Sequence, residues 1–251
     1  MLRGTTQPTI PLRKGDEMPR VIKHPELRRS EILDQALALF CSRGYDEASL
    51  NDLIAEAGIS KGAFYHYFPS KEALVVALSD RFARQAFAEL QPILDRPGLD
   101  PLARLNAFLS EASRVKADMA STSLPAFSDI FRPENRALYQ HIAVAWEALF
   151  RPALTAIITQ GVKNKTFDTF DPGSVADMIQ ELASSNYPIF ARVLEAATRK
   201  ERQEAVDAFQ KRLRLHGVAI DRVLGLPDGS VHMLRPSDVR KIVAAIPRKK
   251  H

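Results

Sequence analysis

Ser49, Asn51, Ser60, Lys61, Gly62, Ala63, Tyr65, His66, Tyr67 and Lys71 stand close together in the chain. Their types suit the gripping and reading of a polyanion better than covalent chemistry. Lysine donates to guanine O6 or N7, so Lys61 is the candidate for direct base reading. Gly62 and Ala63 are small enough to let a helix come close to another surface, and the Ala63 methyl suits a thymine methyl. Tyr65, His66 and Tyr67 combine ring area with polar tips that suit a sugar–phosphate backbone. Ser49 and Asn51 can reach flanking backbone or a base edge. Phe64 and Phe68, interleaved among these groups, read as core.

The segment SLNDLIAEAGISKGAFYHYF, residues 49–68, indicates how such groups are held. Ser49 suits an N-cap, and Asp52 can reach back to it as in a capping box. Leu50, Leu53, Ile54 and Ala57 make one apolar face at helical spacing. Gly58 tolerates positive φ and stops that helix. Ser60 caps a second one, from Lys61 to about Tyr67, whose first-turn N–H groups favour a phosphate. Two short helices joined by a tight Gly-containing turn form a helix-turn-helix. Pro25 suits the N1 position of a preceding helix. That helix carries the stripe Ile32, Leu33, Ala36, Leu39, Phe40 and stops at Gly44. Ser70 caps a fourth helix, lined by Leu74, Ala77, Leu78 and Phe82 and ended by Pro92.

Residues 28–78 resemble the N-terminal domain of the tetracycline-repressor (TetR) family of bacterial regulators. The resemblance is carried by RRSEILDQALALFCSRGYDEASL and by AGISKGAFYHYFPSKEAL. The run G-I-S-K-G-A-F-Y-H-Y-F-x-S-K-E-A-L is far more specific than a helix-turn-helix pattern alone. It implies that Tyr65 and His66 contact DNA and that Lys71 is the family's phosphate-binding lysine. Ile54 departs from the family, which usually keeps a small residue there, and a packing adjustment is expected. The resemblance over the rest of the chain is weak. Within it, LTAIITQGVKNKTFDTFDPGSVADMI is similar to the family's link between its seventh and eighth helices, with Thr166 where glycine is common.

With 251 residues, 45% of them hydrophobic, the chain can form a small domain and a larger one. Cys41 is the only cysteine, which leaves no internal disulfide and no thiolate metal cluster. No apolar run of membrane-spanning length is read, and no hydrophobic stretch follows the basic N-terminus, so a cytoplasmic protein is expected. The net charge of +5 is uneven. Residues 1–30 hold seven Lys/Arg against three Asp/Glu, and residues 235–251 hold six against one, whereas residues 31–90 hold five against nine. DNA binding therefore rests on a few placed donors together with the tails. Plain solubility explains the charge of the tails equally well. Residues 1–24 read as a basic arm without sustained period, in which Arg13, Lys14, Arg20 and Lys23 can track phosphates. Met18 is a candidate native start.

Beyond the connecting helix, 71–91, the pattern is nearly all helical. Helices are expected from Pro101 to about Met119, Leu124 to Phe131, Pro133 to about Val162 with a bend at Pro152, Gly173 to Ala196 interrupted by Pro188, and Lys200 to Leu224. The fold class expected is all-α: an N-terminal three-helix DNA-binding headpiece, 25–70, and a larger helical ligand-binding and dimerisation domain, 92–226. A tail, 227–251, contains a short helix. Phe108, Phe127, Phe131, Tyr139, Trp146, Phe150, Tyr187 and Phe190, with Ser185 and Asn186, are candidates for a pocket holding a small, largely apolar effector. Pro188 lacks an N–H and frees the Ser184 carbonyl beside them. Each aromatic taken singly is also an ordinary core residue. Val175, Ile179, Leu182 and Leu194, with Val206, Phe209, Leu213, Ile220 and Val223, are the candidate dimer surface by resemblance to the family. The same stripes also arise when a helix covers only its own domain. A homodimer predicts a palindromic operator. The reading is a ligand-responsive repressor with no cofactor, metal or catalytic residue. An effector-free DNA-binding protein is the first rival. A helical enzyme is the second, and neither HExxH, a Gly-rich phosphate loop nor G-x-S-x-G occurs to support it.

Overall fold

The computed structural model describes residues 24–121, 135–186 and 196–234, together with 189, 192 and 193. Within them the chain is helical and has no strand. The helices are α1 (Pro25–Arg43), α2 (Leu50–Ala57), α3 (Lys61–Tyr67), α4 (Lys71–Ala88), α5 (Gln91–Leu94), α6 (Pro101–Ser121), α7 (Arg136–Lys163), α8 (Pro172–Ser184) and α9 (Arg199–Val223). Phe127, Phe131, Tyr187, Phe190 and Leu194, the arm before His24, and the helices expected at 124–131 and within the C-terminal tail lie outside the described residues.

Local chemistry starts and stops these elements. Ser49, Ser60 and Ser70 accept N–H bonds from Asp52, Ala63 and Ala73 and so cap α2, α3 and α4. Thr198 and Glu201 form a second capping box at α9. Gly58 ends α2 with φ +60°, where a side chain would be strained. One expected boundary is corrected. Pro92 does not end the fourth helix: α4 stops at Ala88, and Pro92 sits in the first turn of the short α5, where a missing N–H costs nothing. Helix α8 ends at Ser184, the residue whose carbonyl Pro188 cannot bond, and residues 189, 192 and 193 are helical again, which is the interruption expected there.

Two apolar cores result. The first joins Ile32, Leu33, Phe40, Leu53, Phe64, Phe68, Leu74 and Leu78, all nearly inaccessible. Ile54 is half-buried and packs on its edge. The second joins Leu105, Phe108, Phe150, Leu154, Ile158, Val175, Ile179 and Leu224. Helix α7 belongs to both, through Leu138 at one end and Trp146 to Ile158 along the rest. It is also long and apolar enough by length and composition to cross a membrane, contrary to the expectation for this chain. Its buried residues are already packed in the two cores.

At the end of α7 the chain turns back under the helix. Phe167 inserts so close to Gly161 that a Cβ there would lie 2.0 Å from the ring. Lys165 takes the left-handed conformation, φ +60°, one residue before Thr166. Residues 230–234 are tied across α6 and α9. Asn106 binds the Ser230 carbonyl and the His232 N–H, Ser113 binds the Met233 carbonyl, and the buried Asp221 accepts from the Gly229 and Val231 N–H groups. Val231 and Met233 lie in the second core. That core extends past residue 226, where the sequence placed the start of a tail.

Candidate nucleic-acid interface

Helix α3 presents its first turn to solvent. Ser60, Lys61, Gly62 and Ala63 are exposed, as are Ser49 and Asn51 at the start of α2 and Tyr65 and His66 further along α3. Phe64, between them, is fully buried, and Phe68 nearly so. One side of a seven-residue helix is thus anchored in the first core while the other is free. Tyr67 is half-buried against that core and meets the His66 ring edge-on, centroids 5.6 Å apart. Lys61 Nζ lies 6.0 Å from the Tyr65 ring centre. At Gly62 a Cβ would find no atom within 4 Å, so nothing inside the chain calls for glycine.

Surrounding contacts set the angle of this pair of helices. Arg28 donates to the Ala57 carbonyl at 3.0 Å, satisfying the end of α2, and also to Glu31 at 2.7 Å. Arg29 lies over the Phe68 ring. The capping box at Ser49 is complete: its N–H and hydroxyl both donate to Asp52, at 2.9 and 2.5 Å. These bonds hold the Asp52 carboxyl below the usual carboxylate range, with Arg43 assisting.

Lys71 departs from the rest of the set. Its Nζ donates to the Tyr45 carbonyl and sits 4.2 Å from the Tyr45 ring centre. Burial pushes its pKa down, against the pull of Asp46 and Glu72. In the free chain it is a half-buried strut of the headpiece. Sequence reasoning missed Asn135, whose buried Oδ1 accepts from the Tyr45 N–H at 2.7 Å. Asn135 stands at the N-cap of α7 but makes no cap bond. An asparagine before a helix normally signals local capping, so nothing in the sequence points to a partner ninety residues away.

The other candidate sets are rearranged. Phe108 on α6 and Phe150 on α7 stack directly, centroids 4.6 Å apart, with Trp146 stacked on Phe150 at 5.5 Å. Rings expected as separate pocket walls therefore touch within the second core. Tyr139 packs on the first core, whereas these three rings lie in the second. Ser185 and Asn186 lie together just past α8. Among the dimer candidates, Val175, Ile179, Val206, Phe209, Leu213 and Ile220 are buried in their own domain, while Leu182 and Val223 are half-buried. The stripes of α8 and α9 bury apolar area inside the chain before any partner is needed. Glu204, Ala208, Lys211, Leu215, Ala219 and Arg222 are exposed along the opposite side of α9, as is Met178 on α8.

The comparisons with known proteins agree with this geometry. The family described as "Bacterial regulatory proteins, tetR family" matches residues 32–78. The HTH-type transcriptional repressor KstR2 of Rhodococcus jostii is 31% identical over 144 residues, 56% of this chain and 68% of that protein. The uncharacterized HTH-type regulator YuxN of Bacillus subtilis is 42% identical over 59 residues, 24% of this chain; the chain spans only 20% of that relative's length. A putative TetR-family regulator from Syntrophomonas wolfei shares the fold, with a TM-score of 0.57 at 22% identity over 78% of this chain and 96% of its own. The exposed α3 carried on a buried aromatic anchor, and the extent of these likenesses, lead to one assignment: the chain belongs to the TetR family of bacterial regulators and is a DNA-binding transcriptional regulator.

Proposed function

We propose that this chain is a repressor that binds a palindromic operator as a homodimer and is released by a small-molecule effector. The carrying observation is the first turn of α3. Ser60, Lys61, Gly62 and Ala63 are exposed there, with open space above Gly62. A recognition helix enters the major groove by its N-terminal residues, and Lys61 is placed to donate to a guanine edge. Ser49, Asn51, Tyr65 and His66 flank that turn and meet the backbone. Residues 25–70 form the DNA-binding headpiece, and residues from 92 to at least 234 form the effector and dimerisation domain. The family assignment speaks for a regulator and against an enzyme, and such a protein acts in the cytoplasm.

The homodimer forms through the outward side of α8 and α9. Leu215 and Met178 are 54% and 43% exposed there, and Ala208 and Ala219 allow close helix approach. A two-fold axis sets two α3 helices about 34–36 Å apart, or a multiple of that, on one face of DNA. The effector acts by differential affinity for the two headpiece separations, typically with about 1–3 kcal/mol of coupling. Contact between the rings of Phe108, Trp146 and Phe150 favours, as a second reading, a regulator without effector.

Selection of bound fragments from genomic DNA tests the first part. Inverted repeats protected on one face of the duplex are expected. Enrichment of sequences without half-site symmetry would refute the dimeric operator.

A further inference from the structure

The second domain holds a group of polar side chains that neither core uses. Arg212, on the inward side of α9, donates through Nη2 to the Ser185 hydroxyl at 3.1 Å. The Ser185 hydroxyl in turn donates to the Leu182 carbonyl at 2.8 Å, and the Asn186 amide donates to the same carbonyl at 3.1 Å. These bonds leave three atoms unserved. Arg212 Nε, Asn186 Oδ1 and His216 Nδ1 are all inaccessible and have no hydrogen-bond partner among the described residues. Asn186 and His216 are themselves more than nine-tenths buried. Arg212 has no carboxylate within 4 Å among the described residues, unlike Arg81, Arg151 and Arg222, each of which holds an aspartate. The nearest acid placed by a contact to this end of α8 is Glu147, which accepts from Ser184 at 3.4 Å.

Arg212 itself is half-buried, but its Nε is cut off from water, and each buried polar atom left unpaired is costly. Burial, with the Arg212 charge second, pushes the His216 pKa down, so the ring is neutral at neutral pH. Its Nδ1 then donates or accepts according to tautomer. The constellation is a fixed cation with a spare N–H, a carbonyl acceptor and an adaptable imidazole. That inventory matches a carboxylate, which takes two parallel N–H bonds from one guanidinium.

We propose that the effector is an organic acid whose carboxylate binds Arg212 between α8 and α9, with Asn186 and His216 meeting a neighbouring polar atom of the same molecule. This deepens the effector reading given above and rests on it. Arg212 supplies the charge, and Ser185 positions it. The carboxylate completes the buried set and so prefers whichever state of the α8–α9 junction closes around it.

The test uses the full chain and matched pairs of probes: octanoate with octan-1-ol, and 4-phenylbutanoate with 4-phenylbutan-1-ol. Binding is read by calorimetry and by release of selected operator DNA. The acids are expected to bind at least about tenfold more tightly than their alcohols. Arg212→Gln should bring each acid down to the level of its alcohol, and Arg212→Lys should restore part of the difference. Equal binding of acids and alcohols by the unaltered chain overturns the inference. So does an acid preference that survives Arg212→Gln, or a variant that turns monomeric in sedimentation, which makes Arg212 an interface residue. If these probes fail and a neutral compound from a wider screen releases the operator, the effector reading stands and the carboxylate falls. If nothing binds or releases the operator, both fall.

Discussion

Lys61 and Lys71 carry the same charge into different surroundings. Lys61 is exposed at the start of α3, whereas Lys71 is half-buried and committed to the Tyr45 carbonyl. Lys61→Ala should leave the melting temperature unchanged and relax preference at one base position per half-site, measured on operator libraries. Lys71→Ala should weaken binding to all sequences alike and lower the salt slope by about 0.9 for each phosphate that the side chain neutralises. It should also destabilise the headpiece by about 0.5–1.5 kcal/mol, because the bond to Tyr45 goes with it. An unchanged slope with a lower melting temperature would mean that Lys71 stays on Tyr45 in the complex. Gly62 offers a sharper separation of fold from function. Alanine there meets no atom of the chain and removes the entropic cost of a helical glycine. Gly62→Ala should therefore raise stability by up to about 1 kcal/mol while lowering operator affinity. Thermal melts and operator titrations on one preparation read both effects, and a variant that binds DNA as well as the parent would remove Gly62 from the interface.

At the scale of elements, what the sequence made legible was local. Ser49, Ser60 and Ser70 cap where their spacing predicts, because the cap is a bond between residues three apart. Phe64 and Phe68 are core and their polar neighbours exposed, because a short helix has one anchored side. What a buried stripe meets was not legible. Phe209 and Ile179 show that an apolar face will be buried without saying whether by its own domain or by a partner. Tyr139, packed on the first core, and Asn135, bonded to Tyr45 ninety residues away, likewise depend on contacts far apart in the sequence. Helix α7 illustrates a constraint that no periodicity announces. Its Gly161 makes room for the Phe167 ring, and alanine would place a carbon 2.0 Å from an atom of a ring that is itself nearly fully buried. Gly161→Ala should cost about 1–3 kcal/mol by overpacking. Phe167→Leu combined with it should recover part of that loss in chemical denaturation. A tolerated Gly161→Ala would show that the 164–171 turn moves freely.

At the scale of the molecule, α7 is the element through which the second domain can act on the first. Asn135 and Leu138 seat one end of it in the headpiece, while Trp146 and Phe150 seat its middle in the second core. Asn135→Ala should leave the buried Tyr45 N–H unpaired at a cost of about 1–3 kcal/mol. It should also blunt effector release, measured as the ratio of operator affinities with and without effector. Assembly needs the other side of the second domain. Phe209 is buried within its own protomer, so Phe209→Asp should unfold the domain by stranding a charge in the core, and its failure to dimerise would say nothing about the interface. Leu215 is 54% exposed on the outward side of α9, in line with Ala208 and Ala219. Leu215→Asp should keep the melting temperature of the isolated protomer, because the carboxylate stays in water there. In a dimer the same carboxylate would be desolvated against its symmetry mate, so the variant should sediment as a monomer. A monomer presents one α3 to one half-site and loses the joint binding that a tethered pair provides, so operator affinity should fall by at least about a hundredfold. A folded Leu215→Asp that still sediments as a dimer would place the two-fold axis away from this side of α9.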